Sequence, residues 1–208
     1  MQKTILILLF LCASFSAFSQ DTVAQKKWGY KGYSGGMFVH LGYVESKHFT
    51  VFECPQKIIE KQLKGITFGF GGKMSIYLNT YFRVGGEGYV STCNNRKDRN
   101  SCRMSWGGVA FDVLYPVKKW APFAGITVGG GSATHLVGDK PQNNYAAKTL
   151  IFTQPLCIIN PAVGVEFFAT QRISLLFKID YILNIYKTYP AYPQGVRFYL
   201  GIHFYQKK

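Results

Sequence analysis

Apolar and polar residues alternate with a period of two in one segment after another, the pattern of a strand whose two faces meet different surroundings. From Gly65 to Tyr77 the even positions Ile66, Phe68, Phe70, Met74 and Ile76 are apolar, whereas the odd positions include Thr67, Gly69, Lys73 and Ser75. Similar runs set Phe82, Val84 and Val90 against Arg83, Glu87 and Tyr89, and Val109, Phe111, Val113 and Tyr115 against Trp106, Gly108 and Asp112. Ala124, Ile126 and Val128 alternate with Phe123, Gly125 and Thr127, and Val163, Val165 and Phe167 with Asn160, Gly164 and Glu166. Ile173, Leu175, Phe177 and Ile179 face away from Ser174, Lys178 and Asp180, and Val196, Phe198, Leu200, Ile202 and Phe204 away from Arg197, Tyr199 and His203. A first run over 35–44 makes eight predicted strands.

Residues paired across a hairpin point to the same face. Pairing Tyr77 with Tyr81, Tyr115 with Trp120 and Ala169 with Ile173 keeps the faces consistent. Three short turns then alternate with four longer connections, Glu45–Lys64, Asn94–Arg103, Ser132–Thr149 and Asn184–Gly195. Tight turns fall at one end of the molecule and long loops at the other. The fold class is all-β, an eight-stranded antiparallel up-and-down barrel.

A water-soluble barrel would carry many charges outside and an apolar lining. Here the non-apolar face is Gly, Ser, Thr and Tyr with few charges, which suits a narrow packed lumen, and the apolar face suits lipid. The short-turn, long-loop asymmetry also favours a transmembrane β-barrel. After residue 20 no apolar run reaches the length of a membrane helix, about 20 residues.

Lys3, the run Ile5–Leu11 and the small-residue pattern Ala17-Phe18-Ser19 read as a secretory signal peptide over 1–19. Cys12 is not read as a lipidated cysteine, because bulky Leu11 precedes it. The formal net charge of +14 over 208 residues raises nucleic acid as a partner. An exported chain without a helix-turn-helix or zinc-finger pattern does not fit that role, so no nucleic acid is expected.

By parity the lumen-facing charges are Lys73, Arg83, Lys178 and Arg197 against Glu87, Asp112, Glu166 and Asp180. Four cations meet four anions, so the lumen is neutral. Charges in a narrow interior are tolerable only when paired, and an eight-stranded barrel is just wide enough for its side chains to fill. A polar plug is expected, with a proton or ion path along the same residues as the alternative.

The mature chain has four cysteines, an even number suited to an oxidising compartment. Cys93 and Cys102 bracket one loop and point inward at its rim, so a cross-strand disulfide is expected; Cys54 and Cys157 are a second candidate pair. No CxxC or HExxH spacing occurs, and neither a metal nor a cofactor is expected. Ser132 and His135, with Asp139, are the candidates for an activated serine, but no lipase motif surrounds them. His203 is expected in the lumen beside Tyr199 or Arg197. Gly129–Gly131 reads as the top of a strand, since neither a helix nor GKS follows. Tyr77, Tyr115, Trp120 and Phe167 read as interfacial girdle residues.

Together, signal peptide, alternating strands, short turns, long loops and an aromatic last strand resemble the small OmpA/OmpX-type barrels of Gram-negative outer membranes. The resemblance spans Gly35 to Tyr205 and is one of pattern. It implies residence in the cell outer membrane, insertion by the barrel assembly machinery, a periplasmic N-terminal segment over 20–34 and a barrel over 35–208. That family commonly ends on a terminal Phe, whereas Gln206-Lys207-Lys208 follow Phe204-Tyr205 here. Most of the positive charge then falls on loops, turns and tails, facing lipopolysaccharide phosphates outside and lipid headgroups inside. The expected role is structural or surface interaction, with loops open to an external ligand. A lipid A-modifying enzyme and a narrow channel or small-ligand transporter are the alternatives.

Overall fold

The computed structural model describes residues 31–47, 49–53, 57–95, 100–138, 149–185 and 193–207. Ten strands follow in chain order: β1 (Gly32–Glu45), β2 (Phe49–Glu53), β3 (Lys57–Lys61), β4 (Lys64–Tyr77), β5 (Phe82–Asn95), β6 (Asn100–Leu114), β7 (Trp120–Gly138), β8 (Thr149–Phe168), β9 (Ile173–Asn184) and β10 (Gln194–Lys207). Eight of them close into one antiparallel barrel in the order β1, β10, β9, β8, β7, β6, β5, β4. Each barrel strand pairs with its neighbours in sequence, and β1 closes the ring on β10 from Gly32↔Lys207 to Glu45↔Gln194. Closure leaves no sheet edge around the ring, the condition for strands to stand in hydrocarbon. The expected signal peptide and most of the N-terminal segment lie outside the described residues.

The three tight turns have local chemical causes. Asn79 Oδ1 accepts the backbone N–H groups of Tyr81 and Phe82, each at 2.7 Å, which reverses the chain between β4 and β5. Thr170 Oγ1 does the same between β8 and β9 for Arg172 and Ile173, at 3.2 and 3.0 Å. Between β6 and β7, Val117 and Trp120 exchange backbone hydrogen bonds around Lys118, whose φ of 53° is left-handed.

Two connections carry more strand than expected. The first, Glu45–Lys64, contains the hairpin β2–β3, paired from Phe49↔Lys61 to Glu53↔Lys57. The third, Ser132–Thr149, is strand as far as Gly138, so β7 and β8 run for 19 and 20 residues. That is about twice the 9–11 residues a strand needs to cross a membrane. Beyond the apolar belt the outward residues of β7, such as Ser132 and Thr134, are polar while the inward ones stay buried, so apolar–polar alternation no longer marks the strand.

Burial is the reverse of that in a water-soluble domain. Phe70 is 57% and Met74 72% exposed on the outer face, while Arg83 is 1% and Glu166 0% exposed within. An apolar surface that encircles the molecule is far larger than the few hundred Å² that water-soluble monomers tolerate. Glycines on the inner face give room to large neighbours. A Cβ at Gly36 would lie 2.1 Å from His203 Cδ2, and one at Gly71 2.3 Å from Tyr89 Cδ1.

Candidate functional site

The period of two turns every second residue of β4, β5, β6, β8, β9 and β10 into the lumen, where they meet at the barrel axis. All eight charged residues predicted for the lumen lie inside and buried. They form one unbroken chain of alternating sign. Arg197 Nη2 lies 2.9 Å from Asp180 Oδ2, and Asp180 lies 3.7 Å from Lys178 Nζ. Lys178 reaches Glu87 at 2.9 Å, and Glu87 reaches Lys73 at 3.4 Å. Lys73 contacts Asp112 at 2.6 Å, which also takes Arg83 Nε at 2.7 Å. Arg83 Nη1 ends the series on Glu166 Oε1 at 2.6 Å.

Neutral groups add to the shells of these ions, although Arg83 Nη2 and Arg197 Nη1 are buried without a hydrogen-bond partner among the described residues. Asn160 donates to Asp180 at 2.7 Å, Thr127 donates to Glu87 at 3.4 Å, and Tyr205 donates to the second Glu166 oxygen. Lys178 donates to the Tyr89 hydroxyl, and Arg83 to that of Tyr77 at 3.1 Å. Rings cover the cations: Lys178 Nζ lies 4.3 Å from the centroid of Tyr199, and the Arg197 guanidinium 5.3 Å from that of Trp106. These aromatic contacts follow from the parity that marks the charges, since Tyr89, Trp106 and Tyr199 share the inner face. Which ring meets which ion depends on the stagger between distant strands, which alternation does not encode.

The lumen is sealed above this network. Val44, Leu63, Cys93, Cys102, Met104, Ala133, Leu156, Ile158 and Ile182 form a buried apolar layer toward the loop end. At the same end His135 stacks on Phe152 with ring centroids 4.8 Å apart. Lower down, His40 Nε2 meets Ser91 Oγ at 3.0 Å, and Ser91 meets Thr67 at 2.6 Å.

Several expected sites take a different form. Cys93 and Cys102 are opposite one another and fully buried, yet both are free thiols. Leu114 N donates to its partner Tyr81 O, and the register between β5 and β6 is constant, so every second pair from there, Cys93–Cys102 included, is hydrogen-bonded. Such pairs hold their Cβ atoms at the wide end of the range, about 5.5 Å, where a disulfide spans about 3.5–4.5 Å. Cys157 is a free thiol on the outer face, and Cys54 lies outside the described residues, so their pairing finds no support. Ser132 and His135 are three residues apart on β7 and therefore point to opposite faces, which separates the proposed serine from its base. Asp139 lies outside the described residues. His203 is inside, but its Nδ1 faces Glu166 at 3.4 Å instead of Tyr199 or Arg197. Tyr77 belongs to the lumen mouth against Tyr205, whereas Tyr115 and Trp120 are half exposed at the belt edge. Among the described residues no group of three or more His, Cys, Asp or Glu is placed to hold a metal ion.

No protein-family model matches the chain, and no curated protein matches it in sequence. Solved structures match its fold. Neisserial surface protein A superposes with a TM-score of 0.51 at 10% identity, covering 84% of this chain and 99% of that one. The outer membrane protein OprG of Pseudomonas aeruginosa gives 0.51 at 9%, covering 86% and 99%. Ail, the attachment invasion locus protein of Yersinia pestis, gives 0.50 at 10%, covering 85% and 99%.

Proposed function

We propose that this chain, which has the fold of the small outer-membrane barrels, is an integral protein of the bacterial outer membrane with a non-enzymatic, structural or surface-interaction role. The observation that carries this reading is the pairing of an apolar outer belt with a lumen filled by a neutral ion-pair chain. Such a body is stable only with lipid around it, and among the described residues the ion-pair chain fills the middle of its interior.

In this reading residues 1–19 are the export signal, and the barrel assembly machinery inserts the remainder. The tight turns face the periplasm. The long connections, with the extended β7–β8 hairpin and the β2–β3 hairpin, stand outside, where their excess of Lys and Arg meets lipopolysaccharide phosphates and an external partner. The closed lumen argues against transport. The opposite facing of Ser132 and His135 removes the best serine-based candidate for lipid A chemistry.

Fractionation of cells making the full-length protein tests the proposal. The chain is expected with the outer membrane, with faster migration on unboiled than on boiled gels, and a deletion strain is expected to keep its lipid A mass spectrum. Recovery as a soluble periplasmic protein, or a changed lipid A spectrum, would overturn it.

A further inference from the structure

The outer rim carries a cleft of about 630 Å³ that the lumen does not use, lined by Tyr43, Glu45, Lys47, Gln62, Tyr181 and Gln194. Register explains its two tiers. Tyr43 on β1 pairs with Val196 on β10, which pairs with Tyr181 on β9, so the three form one cross-strand row at the top of the apolar belt. One step outward along the same strands, Glu45 pairs with Gln194 and replaces the apolar row with a polar one. The neck of the first connection holds the upper wall in place. Ser46 N donates to Leu63 O at 2.7 Å and Leu63 N to Ser46 Oγ at 2.9 Å, while Gln62 Nε2 donates to Glu45 Oε1 at 2.9 Å and to Ser46 O at 3.1 Å.

We propose that this notch binds the sugar headgroup of an outer-leaflet glycolipid, with an acyl chain lying down the Tyr43–Val196–Tyr181 face. The inference rests on the membrane topology proposed above. The two tyrosines stand half exposed, at 51% and 40%, where hydrocarbon gives way to headgroups. Tyrosine at that level offers an apolar ring to the C–H face of a sugar and a hydroxyl to its polar edge. Glu45 and Gln62 supply acceptor oxygens and Gln194 an amide donor, all suited to sugar hydroxyls. Lys47 meets a phosphate or carboxylate on the ring. One lysine beside one glutamate does not make the cation cluster that a bare phosphate headgroup would need, so the polar tier favours a sugar over a simple phospholipid. The volume falls within the range of small-molecule sites, about 300–1,000 Å³.

The test uses the full-length protein in nanodiscs of phosphatidylethanolamine and phosphatidylglycerol doped with lipid A, with retained lipids read by native mass spectrometry. Wild type is expected to retain lipid A over phosphatidylglycerol. Tyr43→Ser with Tyr181→Ser is expected to lower that retention about tenfold, the effect of losing two aromatic contacts. Gln62→Ala should lower it as well, and Tyr115→Ser at the opposite belt edge should not. Unchanged retention in the notch variants, or equal retention of phosphatidylglycerol by wild type, would overturn the site. Heat-modifiable migration of each variant reports the barrel separately, so loss of lipid A with that migration intact falls on the notch alone. If the tyrosine pair does not insert, Gln62→Ala and Lys47→Ala carry the same comparison. Failure of the membrane topology would instead appear as wild-type protein that never enters the disc.

Discussion

Arg83 on β5 and Glu166 on β8 meet at 2.6 Å with neither side chain exposed. Their strands stand three places apart around the ring, so the contact crosses the lumen and ties opposite walls together. Removing one partner leaves the other as a buried, uncompensated charge, which costs about 3–5 kcal/mol. Arg83→Met is therefore expected to lower stability by about that amount in urea unfolding of the micelle-bound barrel. Arg83→Met with Glu166→Met should recover much of the loss, since it leaves no orphan carboxylate at that end and Asp112 keeps Lys73. A double variant as weak as the single one would show that the pair contributes little through its charge.

Leu200 lies midway along the outward run of β10, between Phe198 and Ile202, and is 50% exposed. In a lipid-wrapped barrel Leu200→Arg should cost about 2–4 kcal/mol, measured by unfolding in bilayers, because arginine is least tolerated near the midplane. Leu200→Phe should be nearly silent. If Leu200→Arg proved neutral in bilayers, that face would not be in hydrocarbon.

Cys93 and Cys102 sit under the apolar cap at 0% exposure. Neither is expected to react with a maleimide in the folded barrel, and both should react at once after denaturation without reductant. Peptide mapping under non-reducing conditions should find both thiols free. A Cys93–Cys102 cross-link would contradict the hydrogen-bonded geometry of that pair.

Much of this architecture is legible in the sequence because one physical rule, alternation, sets both the strands and the face of each side chain. Lys73 and Asp112 could be placed in the lumen without knowing that they touch. Their contact depends on the stagger of β4 against β6, and so does the order of the whole ion chain. The rule fails where the strand leaves lipid. Past Gly131 the outward residues of β7 include Ser132 and Thr134, so a strand there resembles a loop. The Cys93–Cys102 pair shows a second limit, since parity places both thiols inside but hydrogen-bond phase, which parity omits, sets them too far apart. Ser132 and His135 are the converse case, because their odd spacing on a strand already separates them once the strand is known to continue.

Eight charges of alternating sign fill the lumen as a plug. Ion current through the full-length protein in planar bilayers tests it most directly. Wild type should insert without steady conductance, and Arg197→Ala with Lys178→Ala, which removes both cations from one end of the chain, should produce discrete openings. A stable open channel from the wild-type protein would show that the charges do not plug the lumen.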